Sequence, residues 1–387
     1  MKTALINGVV ITPNRKISGG IVMDGANISE VFEGKCPCAV DKTIDVAGQF
    51  ITPGFVDIHT HGAAGCDFLD GTAASYITAS KMHMQHGTTA LMPTITTCSA
   101  DELSASLDAY SAAENEVGMP HFIGAHLEGP YFSPEQAGAQ DPAHIRNPKK
   151  SEYLPLLEQY PQIRRWSVAA ELPGALEMGL ELARHGVVAA VGHSDALYDD
   201  MQKAADYGYT LLTHFYSGMS GVKRINAYRH AGAIESGYLM DDFAVEIIAD
   251  GHHLPASLLK LIYKVKGSSN ICLITDSVSA AGMPDGTVGA IGGLTYVLEN
   301  GVAKLPDRSA FAGSAATANQ LIKTMVEKAE VPMCDAVKML TLTPARVAKV
   351  DYRMGSLVAG KEANIAVFDS SYNVNMTIVS GKITHEA

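Results

Sequence analysis

Two histidines, His59 and His61, close a short apolar run, Phe55-Val56-Asp57-Ile58. Along a β-strand successive side chains alternate between faces, so residues two apart share one. Two imidazoles side by side on a rigid edge offer two nitrogen donors to a metal ion. A hydrolytic metal centre needs more than that pair: further ligands, a carboxylate among them, and a base able to take a proton from water. The chain carries such groups at His126-Leu127-Glu128, Gly192-His193-Ser194-Asp195, Thr213-His214, Asp250-Gly251-His252-His253 and Thr275-Asp276. A single histidine at a strand end is more often a hydrogen-bonded structural residue than a ligand. The argument lies in the coincidence, because independent placement would scatter the 14 histidines over loops and helix faces. His86, His121, His144, His185 and His230 fall outside the set and read as structural. Asp57 lies between apolar positions and reads as a buried partner of a ligand.

Positioning such groups requires elements that end at one edge. Eight short apolar, β-branched runs recur: 54–59, 89–94, 122–126, 165–170, 187–192, 210–214, 245–249 and 271–275. Each is nearly continuous in apolar residues, as for a strand covered on both faces. Between them lie helical stretches, at 74–86 before Gly87, 101–115, 176–185 before Gly186 and 197–207 before Gly208. Eight strand-helix units predict an α/β fold, a (β/α)8 TIM-type barrel whose chemistry sits at the C-terminal strand ends. A doubly wound open sheet is the rival, but no Gly-x-Gly-x-x-Gly follows a strand. The two chain ends differ from the middle. Alternating runs with Asn-Gly, Gly-Gly and Asp-Gly turns predict a small β-sandwich domain from 1–50 and 350–387, around a catalytic barrel at 51–349.

Composition narrows the function classes. The chain has 387 residues, 47% of them hydrophobic, enough for one large core and a small companion. The formal net charge of -12 excludes a general nucleic-acid binder and leaves open a small anionic substrate held by a local Arg or Lys. No apolar run is long enough for a membrane span, and the N-terminal apolar run is too short for a signal peptide, so a cytoplasmic protein is expected. The six cysteines are scattered, as in a reduced compartment. Cys36-Pro37-Cys38 is the one close pair; without a second pair it reads as a surface turn.

The motifs, taken in order, resemble the N-acetylglucosamine-6-phosphate deacetylases of the amidohydrolase superfamily. The resemblance runs over nearly the whole chain: Pro-Gly-Phe-Val-Asp-Ile-His-Thr-His-Gly at 53–62, His-Leu-Glu-Gly-Pro at 126–130, Gly-His-Ser-Asp-Ala at 192–196, Thr-His at 213–214, Ala-Asp-Gly-His-His at 249–253, Thr-Asp at 275–276, Gly-Met-Pro-Asp-Gly at 282–286 and Ala-Gly-Ser at 312–314. His-x-His alone marks only the superfamily; His-Leu-Glu-Gly-Pro with Gly-His-Ser-Asp-Ala is specific to the deacetylases.

The resemblance implies that Glu128, His193 and His214 hold one divalent metal, zinc or iron, and that His59 and His61 hold a second with Glu128 as bridge. Members lacking the His-x-His pair work with one metal. Other amidohydrolases bridge through a carboxylated lysine on the fourth strand; here Trp166-Ser167-Val168-Ala169-Ala170-Glu171 has none. By the same resemblance Asp276 is the general base and His253 polarises the carbonyl; a helix N-cap before Ser277 is the alternative role for Asp276. The phosphorylated amino sugar is expected at Gln140, Ser217, the backbone amides of Gly218 and Met219, His253 and Arg229, with Lys223 or Arg224 sharing the charge. The chain departs from the family twice. Ser217 stands where the family usually has Asn, in His214-Phe215-Tyr216-Ser217-Gly218-Met219, and Gln140 stands where many members have a histidine. Both departures bear on the sugar and leave the amide chemistry alone. The family's homodimers, some with a neighbour's residue at the phosphate, are the expected assembly. Turnover of N-acetylgalactosamine 6-phosphate or another N-acyl amino sugar, a cyclic-amide or nucleobase hydrolase, and a non-catalytic interaction protein on the same fold are the competing readings.

Overall fold

The computed structural model describes residues 1–387. The eight apolar runs form a parallel sheet that rolls into a nearly closed barrel. In chain order its strands are Phe55–Thr60, Thr88–Ile95, Ala125–Glu128, Ile163–Val168, Val188–Val191, Tyr209–Leu212, Ala244–Ile248 and Ile271–Ile274, each beside the next. The second and eighth strands are buried at every position, which is why they read as unbroken apolar runs. Helices Ala73–Gln85, Ala175–Arg184 and Tyr198–Asp206 each stop before a glycine with positive φ, at Gly87, Gly186 and Gly208. Only glycine adopts that conformation without strain, so these residues end the helices and turn the chain back toward the barrel.

One prediction is corrected. The third run, expected as one strand over 122–126, is broken by Gly124 at φ 118. His121–Phe122 pairs with the second strand, and Ala125–Glu128 forms the barrel strand proper.

Packing separates the barrel into layers. Outward-facing residues such as Leu91, Leu127, Trp166 and Ile247 join the helices in a cluster of 63 buried residues. Inside, Val56, Ile58, Met92, Ala190, Leu211 and Ile274 meet Ala345 and Met354, which plug the bottom. Above that plug the interior turns polar. His126 bonds Thr94 at 3.1 Å and Ser167 at 2.7 Å, and Ser167 bonds Thr213 at 2.7 Å. Fully buried polar groups are stable only when paired in this way.

The eighth and first strands share no continuous ladder. At the upper rim Asp276 N donates to His59 O at 2.9 Å and His61 N to Ser277 O at 2.8 Å. Lower down, Val56 N turns instead to Leu340 O at 2.9 Å, and the Asp57 carboxylate accepts from the Thr275 hydroxyl at 2.5 Å. Asp57 is thus a buried clasp across this seam.

Both chain ends join one eight-stranded sheet, ordered Lys382–Glu386, Val374–Val379, Ile365–Phe368, Phe50–Pro53, Lys2–Ile11, Lys16–Asp24 and Asn27–Glu33, with Lys42–Asp45 beside Lys2–Ile11. Ile28 and Ile378, from strands near opposite ends of that order, share one apolar cluster, so the sheet curls over its own core. A second sheet was not expected from the sequence: Val288–Ile291, Leu294–Glu299, Val302–Lys304 and Phe311–Ser314 form four antiparallel strands after the barrel's last strand. Cys36 is half-buried and Cys38 exposed in a surface loop, with the Cys36 thiol 3.4 Å from the Cys38 carbonyl. No helix is long and apolar enough to cross a membrane.

Candidate active site

The strand ends converge on Glu128. Its Oε1 lies 2.9 Å from His214 Nε2, 3.3 Å from His193 Nε2 and 3.6 Å from His59 Nε2, and its Oε2 lies 3.4 Å from His61 Nε2. Asp276 Oδ1 stands 3.3 Å from His59 Nε2 and 3.2 Å from His61 Nε2. Six residues from the first, third, fifth, sixth and eighth strand ends therefore meet around one carboxylate. No helix starts at Ser277, so the N-cap role for Asp276 falls away.

Two of the rings are held by their other nitrogen through backbone carbonyls, whereas His61 Nδ1 has no partner. His193 Nδ1 donates to the Gln136 carbonyl at 2.8 Å and His214 Nδ1 to the Ser217 carbonyl at 3.1 Å. A carbonyl only accepts, so both Nε2 atoms keep their lone pairs toward Glu128. The backbone is bent to achieve this aim: His193, His214 and Asp276 all have positive φ, at 46, 30 and 47°. For a residue with a Cβ that conformation is unfavourable by about 1–3 kcal/mol and persists only where the surroundings enforce it.

The electrostatics follow from two carboxylates among four imidazoles. Burial alone would push the Glu128 carboxyl up, but His193, His214, His59 and His61 outweigh it and hold it well below the carboxylate range. Asp276 is likewise driven down to about 2, its neighbours overcoming burial. In return His61 rises to about 9 against the effect of burial, chiefly through Asp276 and Glu128. Two groups of ligand atoms are close enough to share an ion: His59, His61 and Glu128, and Glu128, His193 and His214. His59 Nε2 is buried and has no hydrogen-bond partner, although it faces two carboxylates. That orphaned donor atom and the His/carboxylate set fit a divalent cation.

Above the cluster opens a cleft of about 240 Å³ lined by His61, Glu128, Gln140, His193, His214, Ser217, Gly218, His253 and Asp276. His253 Nδ1 donates to Asp250 at 2.7 Å, and its ring packs on Phe311 at 4.8 Å. Gln140 is turned toward Glu128: its Nε2 donates to Glu128 Oε2 at 3.0 Å, while its Oε1 accepts from Thr96 Oγ1 at 3.0 Å and Thr97 N at 3.2 Å. Gly218 has φ 57, and a Cβ there would come 2.8 Å from His193 Nδ1. Met219 buries its side chain in the core and does not line the cleft. Arg229 does not line it either: it sits on an exposed hairpin, Lys223–Ile225 against Tyr228–His230, opposite Arg224. Lys223 is committed to an ion pair with Asp195.

Several groups at the site had not been anticipated. Ile291, Ala310, Phe311 and Ala312 of the inserted sheet form one wall of the cleft; the Gly-rich turns at 286, 292–293 and 301 were the available signal. Arg165 and Glu246 form a buried ion pair under His59. Glu246 is the one charge in its apolar strand, whereas Arg165 follows the exposed Arg164 and does not stand out in the sequence.

A model of the amidohydrolase family matches residues 50–384. The chain is 32% identical, over 99% of both lengths, to an N-acetylglucosamine-6-phosphate deacetylase of Haemophilus influenzae. It is also 32% identical to an N-acetylgalactosamine-6-phosphate deacetylase of Escherichia coli O157:H7, over 87% of this chain and 88% of that one. The solved structure of a Mycobacterium smegmatis N-acetyl-D-glucosamine-6-phosphate deacetylase in complex with N-acetyl-D-glucosamine-6-phosphate superposes with a TM-score of 0.91, at 28% identity and covering 99% of each chain. With this barrel, this cluster of His and Glu at its strand ends and a family match over most of its length, the chain belongs to the amidohydrolase family.

Proposed function

We propose that this protein is a metal-dependent deacetylase of N-acetylglucosamine 6-phosphate, releasing acetate and glucosamine 6-phosphate. The observation that carries the reading is the convergence of His59, His61, Glu128, His193, His214 and Asp276 at the floor of one cleft. In this reading residues 51–349 are the catalytic unit, and 1–50 with 350–387 form a small supporting domain. Six free cysteines and no disulfide support a cytoplasmic setting.

Glu128, His193 and His214 would hold one divalent ion, and His59 and His61 a second with Glu128 between them; zinc or iron suits these donors. A divalent ion there supplies Lewis acidity, lowering the pKa of water from about 16 toward about 7. Asp276 Oδ1 takes a proton from the attacking water and returns it to the leaving nitrogen as the amide C–N bond breaks. The new C–O bond makes acetate, and the returned proton lets the amine depart neutral. Asp250 accepts from His253 Nδ1 and holds the ring; with a proton on each nitrogen, that ring would donate its Nε2–H to the carbonyl oxygen as negative charge develops. Ser217, Gln140 and the backbone amide of Gly218, which line the cleft, would contact the sugar phosphate.

Arg229 stands on an exposed hairpin away from its own cleft. That position supports a homodimer in which this hairpin serves the phosphate of the neighbouring subunit. The mass of the assembly in solution and the KM of Arg229→Ala test this together: a monomer with wild-type KM removes it.

One observation favours a second substrate, N-acetylgalactosamine 6-phosphate: a relative of that name is also 32% identical. Turnover of the two epimers, side by side with the unphosphorylated sugars, separates the readings. Hydrolysis of an unphosphorylated sugar alone would remove the phosphate assignment.

A further inference from the structure

Beneath the cluster, inside the barrel, lies an ion pair that no substrate reaches. Arg165 on the fourth strand and Glu246 on the seventh are 1% and 0% exposed. The guanidinium donates to Glu246 through both terminal nitrogens, to the Thr213 hydroxyl at 3.0 Å and to the Ile58 carbonyl at 3.0 Å. Desolvating such a pair costs several kcal/mol per ion, and apolar residues of the same volume often stabilise a core as well or better. Stability alone is therefore a poor reason for its presence.

A better reason lies on the other side of the carboxylate. Glu246 Oε2 meets His59 Nδ1 at 3.2 Å and accepts the backbone N–H of His214 at 3.2 Å. The guanidinium of Arg165, bonded to both oxygens of Glu246, holds that group as a carboxylate. An ionised carboxylate has no proton to give, so His59 Nδ1 donates and Nε2 keeps its lone pair. That Nε2 is the buried, unpartnered atom facing Glu128 and Asp276. Arg165 fixes the carboxylate by a two-pronged grip and cancels its charge, so Glu246 acts on the ring without adding a net anion below the site.

We infer that Glu246, locked by Arg165, is the positioning residue that sets the His59 tautomer and thereby keeps the second metal site open. The inference rests on the two-metal reading above. It predicts an unequal effect, because the His193 and His214 rings are oriented by the Gln136 and Ser217 carbonyls and Glu246 reaches only the backbone N–H of His214, whereas it bonds the His59 ring itself.

The test uses metal-free protein and zinc alone, titrated against a competing chromophoric chelator. Glu246→Gln preserves shape and can still accept from Arg165, but its amide N–H turned to His59 Nδ1 reverses that hydrogen bond and puts the ring proton on Nε2. The double variant Arg165→Met/Glu246→Met removes both charges, so no unpaired guanidinium is left buried. Both variants are expected to bind one zinc as wild type does and to lose about 10–100-fold in affinity for the other. Two zinc ions bound with wild-type affinity by both variants, or equal weakening at both sites, overturns the inference. A single zinc in the wild type overturns the two-metal reading and the inference with it, whereas two in the wild type with unchanged variants overturns the inference alone.

Discussion

Replacing Asp276 by Asn removes the proposed base and changes almost nothing else. The side chain is 9% exposed, and Asn has the same shape as Asp. The backbone bonds that seat the residue, Asp276 N to His59 O at 2.9 Å and Ser314 N to Asp276 O at 2.8 Å, do not involve the carboxylate. The barrel rim therefore stays in place. Asn cannot accept a proton, and general acid-base help contributes roughly 10²–10⁴-fold. At 1.36 kcal/mol per decade this is about 3–5 kcal/mol on the activation barrier. Because the group acts only as the proton moves, kcat and kcat/KM are expected to fall together, with KM nearly unchanged. Acetate release from N-acetylglucosamine 6-phosphate gives the rates, and elemental analysis of the same sample gives the metal content. Metal content near wild type with turnover down by about 10² or more supports the base assignment. Wild-type turnover refutes it, and loss of metal in proportion to activity makes Asp276 a ligand instead.

Gly218→Ala forces a Cβ within 2.8 Å of His193 Nδ1 at a residue with φ 57; we expect about 1–3 kcal/mol of destabilisation with reduced activity, and an unchanged denaturation midpoint would count against it. His83, fully buried with Nε2 between the Thr60 hydroxyl at 3.0 Å and the Gly62 carbonyl at 3.2 Å, is pushed by burial to about 4. Its folded value lies below its unfolded one, near 6.5, so the unfolded chain binds the extra proton and stability falls as pH drops through that window, by about 3 kcal/mol in full. Urea unfolding at pH 7.5 and 5 is expected to show a smaller pH difference for His83→Gln than for the wild type; parallel losses would dismiss His83 as the source. Chelation is expected to lower the melting temperature and added zinc to restore it, since a ligand at 100 times its Kd stabilises by about 2.7 kcal/mol. Identical melts with and without chelator would argue against a metal bound to the folded state.

The sequence was most legible where one physical rule acted alone. Strands covered on both faces must be continuously apolar, so all eight could be found, and Gly87, Gly186 and Gly208 mark helix ends because of their backbone freedom. The cluster of candidate ligands was legible because barrel geometry sends every strand end to the same rim. The site's supports were harder to see. Gln140 reads as a sugar contact by alignment with a family histidine, yet its amide reaches Glu128, a contact made by a loop that no periodicity describes. Arg165 and Glu246 are 81 residues apart, and nothing local says that a charge in one apolar strand answers a charge in another. Phe311 and Ile291 belong to a small sheet whose short, half-exposed strands carry too weak an alternation to stand out.

The seam between the last and first strands is the joint of the barrel without a strand ladder, and the candidate site straddles it. His59 and His61 sit on one lip and Asp276 on the other, joined by a few hydrogen bonds and the Asp57–Thr275 clasp. If the barrel gapes there, ligands and base separate before the rest of the wall is disturbed. Under the proposed mechanism, catalytic competence would act as a closure sensor: a molecule that turns over substrate would have a zipped barrel, and one that has sprung open would be silent. A partly unfolded chain has no way to go on working with its ligands on one lip and its base on the other.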